Sequence, residues 1–270
     1  WPTALSKWNQ APAAEIRPTI NNKNAMPSLW WASSNSAAPL KTKRTELPSA
    51  LATKRQSPPN NLVIFVKIEA LDFFEKSIEL DDTNIKYISV LLACSHFLDK
   101  DINYYKKFST KYRKGIKKFD LNLIKNFSYN KNSNIKVGIL SGNLKKRPTG
   151  YFLLDLLEKI KKKNPFELHA FSNSSTKEDE YTKKLKNNFH YWHDVNLLND
   201  LDLINLIRNQ KINILIDMQG HTYDNRIQIF ANKPAPVQIS WAEYLASTGI
   251  PEIDYLIGDN FVTPHDHKDI

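Results

Sequence analysis

Cysteine occurs once in the 270 residues, at Cys94. That excludes an intrachain disulfide and a thiolate metal cluster, and it points to a reducing, cytoplasmic setting. Cys94 lies in an apolar helical stretch and reads as a core residue. Long apolar runs are also missing: NLVIFV and YISVLLACSHFL stop short of the roughly 18 to 20 residues of a membrane span, so no membrane role is expected. Glycine is scarce, with seven in all. Gly138, Gly142 and Gly150 do not make G-x-G-x-x-G, and no Walker loop occurs, which argues against hydride transfer and P-loop phosphoryl transfer. Metal-ligand spacing is absent too. His190 and His193 stand three apart in a strand-like segment, on opposite faces, and His265 with His267 sits at the chain's end, so no metal is expected.

Lys and Arg number 38 against 28 Asp and Glu, a net charge of +10. Clustered cations release counterions from nucleic-acid phosphates, but these lysines are scattered over predicted helix faces. The charge reads mainly as a solvated surface and argues against nucleic acid as a partner. A basic face for acidic protein acceptors stays open.

Residues 1–60 hold eight of the 14 prolines, four of the six tryptophans and no glycine. Without a hydrophobic period, no packed fold is expected there. The chain starts at Trp1 and stops just after a strand-like segment, and is read as a fragment. From Lys67 the spacing turns helical: Ile68, Leu71, Phe74 and Ile78 share one side, with charge mostly opposite. Helices are also predicted near 84–98 and 101–116, so residues 66–118 read as a helical region. From Ile135, strands IKVGIL, FELHAFS, HYWHDV, INILIDM, VQISW and DYLIGD alternate with helices TGYFLLDLLEKIKKK, with Phe152, Leu153, Leu156, Leu157 and Ile160 on its apolar side, TKEDEYTKKLKNNF, LNDLDLINLIRNQ and the short DNRIQIFAN. Asn199 or Asp200 is the N-cap of the third helix. Residues 133–270 therefore read as an α/β, Rossmann-like parallel sheet with helices on both faces. Ligands bind beyond the carboxyl ends of such strands, which selects the loops SGNLKKRPTGY, MQGHT, AEYLASTG and GDNFVTP.

Within MQGHT, His221 follows Gly220 beside Asp217, Gln219 and Thr222. A histidine there is suited to accept a proton or bond a substrate hydroxyl, with Asp217 orienting it. It is equally suited to cap the following helix or satisfy a backbone carbonyl.

The order KVGILSGNLKKRPTGYFL, FELHAFSNSSTKEDEYT, ILIDMQGHTYDNR, FANKPAPVQISW and DYLIGD resembles the first catalytic half of the O-linked N-acetylglucosamine transferases and their bacterial and SPINDLY-like relatives, over roughly residues 66–270. Ala70, Phe74, Ser77, Ile78 and Asp82 also resemble the last helix of a tetratricopeptide array, with Asp82 in place of the usual Pro. The resemblance implies a GT-B architecture of two Rossmann-like halves. It implies transfer of N-acetylglucosamine from UDP-GlcNAc, or of fucose from GDP-fucose in SPINDLY-like members, to Ser or Thr of proteins without a cofactor. By resemblance, Asp217, His221 and Thr222 belong to the corner at the cleft, Tyr151 to the facing loop, and Thr248 with Gly249 to the donor-sugar loop. Where the family carries a His proposed to accept the hydroxyl proton, this chain has Arg147. An arginine cannot serve as a base, so Arg147 implies either altered activity or phosphate binding. Glu243, Leu245 and Ala246 replace the family's Gly, Pro and Gly. A non-catalytic, repeat-linked binding module that kept the fold is the second reading.

Overall fold

A computed structural model describes residues 60–98, 100–120, 134–163, 166–244, 246–261 and 263. The proline-rich zone before Asn60 and the pair His265 and His267 lie outside the described residues. Helices α1 (Asn60–Leu80), α2 (Ile85–Ser95) and α3 (Ile102–Gly115) come first. α1 begins earlier than the spacing from Lys67 predicts, so NLVIFV belongs to it. Side-chain caps start the next two: Asn84 accepts from the Lys86 amide and Asp101 from the Tyr104 amide, satisfying donors that have no partner within the helix.

The predicted strands all form. They are β1 (Ile135–Ser141), β2 (Phe166–Ser172), β3 (Tyr191–Asp194), β4 (Ile214–Asp217), β5 (Val237–Trp241) and β6 (Tyr255–Ile257). All pairs are parallel, in the order β3-β2-β1-β4-β5-β6. β1 and β2 are buried over their last five residues, as strands covered on both faces must be. Helices α4 (Pro148–Lys163), α5 (Glu180–Lys186) and α6 (Asp200–Asn209) make the crossovers. Pro148 suits the first turn of α4, where its missing N–H costs nothing, and Asn199 caps α6 through the Asp202 amide. α5 is shorter than TKEDEYTKKLKNNF suggests, because Asp179 caps it at Thr182. DNRIQIFAN contains a 3-10 helix, Ile227–Asn232. Phe152, expected on the apolar side of α4, is exposed, while Leu153 and Leu157 are buried.

Two apolar cores lie on the two faces of the sheet. One joins Val137, Ile139 and Leu168 to Leu153 and Leu157 of α4. The other joins Leu140, Leu215 and Ile207 to Leu71, Ile88, Leu91, Phe108 and Tyr112 of α1–α3. The helical region, separate in sequence, thus shares a core with the sheet, and Ser57–Ile270 is one compact unit. Among the described residues no helix is long and apolar enough to cross a membrane.

β1 lies between β2 and β4, with β2 and β3 on one side of it and β4 to β6 on the other; at such a switch point the ligand crevice lies beyond the strands' carboxyl ends, here those of β1 and β4. The loop after β1 folds back over the first turn of α4, where a Cβ on Gly150 would stand 2.0 Å from the Lys145 carbonyl oxygen. Gly150→Ala must therefore push loop and helix apart. It should cost about 1–3 kcal/mol, read as a lowered urea midpoint at unchanged slope; an unchanged midpoint would show that the loop has room.

Candidate active site

β4 ends at Asp217 and the chain turns sharply. Gly220 adopts φ +53, and a Cβ there would stand 2.3 Å from the Tyr244 Cβ, so glycine alone fits. The buried Asp217 carboxylate accepts from the Gln219 amide at 3.2 Å, the Gly220 amide at 2.7 Å and the Ser240 hydroxyl at 3.5 Å. Burial pushes its pKa up to about 7. Asp217 therefore braces the backbone of the corner. Its oxygens go to these groups and not to His221, so the orienting role expected of it falls to another residue.

That residue is Ser89, on α2. The His221 Nε2 stands 2.9 Å from the Thr248 carbonyl oxygen. A carbonyl can only accept, so Nε2 carries the hydrogen. Nδ1 is then the acceptor, and the Ser89 hydroxyl, 2.9 Å away, donates to it. The rings of Tyr112 and Tyr244 meet the imidazole edge to face, at 4.6 and 5.2 Å between centroids. Burial lowers the pKa of His221 to about 4. In this arrangement both nitrogens of the neutral ring are engaged, Nδ1 by Ser89 and Nε2–H by the Thr248 backbone carbonyl.

The other expected residues fall into two groups. Thr222, Thr248 and Gly249 gather around the corner. Gly249, at φ +68, packs so closely on α3 that a Cβ would stand 2.6 Å from the Ser109 Cβ. Arg147 and Tyr151 stand at the start of α4: the Tyr151 amide donates to the Arg147 carbonyl at 3.1 Å, and the Tyr151 ring meets Tyr181 edge to face. Burial, and next the Arg147 charge, lower the pKa of Lys145. The corner residues Asn225 and Arg226 serve packing: Arg226 pairs with Asp200 at 2.7 Å and bonds the Leu198 carbonyl.

Glu243 links the two groups. Just beyond β5, its carboxylate accepts from Asn143 Nδ2 at 2.9 Å on both oxygens, from the Thr149 hydroxyl, and from the Thr222 hydroxyl at 3.1 Å. Thr222 shares its proton with the Gln219 carbonyl, 2.9 Å away. One side chain thus spans from the β5 loop to the loops after β1 and β4, across the crevice. Glu243 figured in the sequence only as a lost glycine. The available signal was a carboxylate directly after a buried strand, on a loop already selected by the carboxyl-end rule. Among the described residues no group of three or more His, Cys, Asp or Glu could hold a metal ion.

The model of glycosyl transferase family 41 matches residues 91–269, which include every strand and every crevice loop. The chain belongs to glycosyl transferase family 41. It is similar to a protein named "Probable UDP-N-acetylglucosamine–peptide N-acetylglucosaminyltransferase SPINDLY", of Eustoma exaltatum subsp. russellianum, at 39% identity over 28% of this chain and 8% of that protein. The similarly named SEC of Arabidopsis thaliana is 28% identical over 48% of this chain and 13% of its own length. A point mutant of the Thermobaculum terrenum O-GlcNAc transferase superposes with a TM-score of 0.62 at 26% identity, over 72% of this chain and 37% of that structure. The matched part is therefore about a tenth of the length of these curated relatives.

Two predictions follow from the family 41 corner. The fold keeps His221 neutral and lowers its pKa from 6.5 to about 4, so its contribution to stability is full above pH 6.5 and is lost as pH falls toward 4. Asp217 is raised from 3.8 to about 7, so its contribution is full below pH 3.8 and is lost as pH rises toward 7. The stability deficit of His221→Gln against the parent should shrink on acidification from pH 6.5 to 4, and that of Asp217→Asn should grow. Deficits that run parallel with pH would refute this opposition. Separately, a double-mutant cycle between Glu243→Ala and Asn143→Ala should give a coupling of about 0.5–1.5 kcal/mol in urea unfolding; additive effects would show that the bridge contributes nothing.

Proposed function

We propose that this chain forms the acceptor and sugar-facing half of a protein O-N-acetylglucosaminyltransferase, which moves N-acetylglucosamine from UDP-GlcNAc to Ser or Thr hydroxyls of cytoplasmic proteins. One observation carries the reading: the family 41 match coincides with the strands and loops that build the crevice beyond β1 and β4. The names of the relatives supply the donor and the acceptor class. Transfer requires placement of both substrates, stabilisation of the leaving diphosphate and a route for the hydroxyl proton. Thr222, Thr248 and Gly249 are assigned to the sugar side. Arg147 and Tyr151 are assigned to the facing loop, where a guanidinium that stays charged is suited to a phosphate oxygen and not to proton uptake. His221 and Asp217 are assigned to holding the corner.

A second reading has its own observation. The Glu243 carboxylate bridges the crevice loops, which favours a binding module that kept the fold without the transfer. The longest natural chain carrying this segment, incubated with labelled UDP-GlcNAc and protein acceptors, decides between them. The transferase reading predicts alkali-labile label on Ser or Thr, and none from GDP-fucose. Label from GDP-fucose alone would reassign the donor, and no label from either would leave the binding module.

A further inference from the structure

Helices α2 and α3 reach the crevice loops at three points. The buried Ser89 hydroxyl donates to His221 Nδ1 at 2.9 Å, and His221 Nε2–H donates to the Thr248 carbonyl at 2.9 Å. His96 of the helical region is hydrogen-bonded to the Tyr244 hydroxyl at 2.7 Å. Gly249 lies directly against Ser109. Each contact ends on residues 244–249, between β5 and β6. Ser89 is also the acceptor for Asn225 Nδ2 at 3.2 Å, and that same amide donates to the Thr222 carbonyl at 2.6 Å. A single hydroxyl from α2 therefore joins both the corner after β4 and the loop after β5. It stands two residues before the family 41 match begins.

We propose that Ser89 is a positioning residue for the Thr248–Gly249 loop, acting through His221. The Ser89 proton satisfies Nδ1, which leaves the hydrogen on Nε2 directed at the Thr248 carbonyl. Without that donor, a buried lone pair faces the space the hydroxyl left and goes unsatisfied. The ring then gains by turning or admitting water, and either response loosens the Thr248 carbonyl. The helical region thereby sets the position of the sugar-facing loop as well as covering one face of the sheet. The consequence for sugar transfer rests on the proposed function; the link from Ser89 to the loop does not.

The test uses the whole chain and needs no substrate. Long-range 15N–1H correlation spectra, with His221 assigned from His221→Gln, read the ring, and amide hydrogen exchange reads residues 246–250. In the parent, His221 should remain an Nε2–H tautomer from pH 5.5 to 8. Ser89→Ala should shift the Nδ1 resonance and raise exchange in 246–250 about tenfold relative to β2 and β3, and Ser89→Thr, which keeps the hydroxyl, should restore both. A parent ring that titrates near pH 6.5 would overturn the proposal. So would loop exchange unchanged in Ser89→Ala, exchange that rises equally in β2 and β3, or a threonine variant indistinguishable from alanine. Because no activity is measured, failure of this link and failure of the transferase reading are separate results.

Discussion

A neutral imidazole with a donor on one nitrogen and an acceptor on the other fixes two partners at a set separation, and His221 does this between α2 and the loop after β5. The geometry works only while the ring is uncharged, which its burial ensures. Tyr112 from α3 and Tyr244 from the loop close over the ring edge to face. Three segments distant in sequence meet at this one side chain. The shared core of α1–α3 and the sheet brings them near one another; the imidazole decides how they meet.

The same low-dielectric pocket explains the division of labour around the crevice. It favours the neutral forms of both His221 and Asp217, shifting their pKa values in opposite directions. Glu243 and Arg147 stand instead on the loops beyond β5 and β1, facing the crevice. Buried groups whose neutral forms are favoured shape the corner, and the longer polar side chains lie on the loops around it. Glu243 complicates that picture, because Asn143, Thr149 and Thr222 already occupy its lone pairs. A ligand entering the crevice has to displace at least one of these donors or bind beside them.

Much of the fold was legible because period and punctuation agreed. Short apolar runs such as IKVGIL and FELHAFS, separated by helical spacing, describe parallel strands with crossovers, and the carboxyl-end rule then picks the crevice loops without any coordinates. Asn199 was readable as a cap because local hydrogen bonding needs only neighbours in sequence. The roles within the site were not readable in this way. The hydroxyl on His221 Nδ1 is 132 residues away, and no local pattern encodes it, whereas sequence adjacency points to Asp217, whose oxygens bond the corner backbone and Ser240. The Glu243 bridge to Asn143 spans 100 residues and was hidden for the same reason. Phe152 fitted the apolar stripe of α4 yet faces solvent, since helical period fixes a stripe only to within one side chain.

A crystal structure of the longest natural chain carrying this segment, in complex with UDP-GlcNAc, decides whether the crevice beyond β1 and β4 receives the sugar. The N-acetylglucosamine ring is expected in contact with Thr222 and the Thr248–Gly249 loop, with Glu243 released from at least one of Asn143, Thr149 and Thr222. A sugar bound away from these loops, with the Glu243 bridge intact, would contradict it.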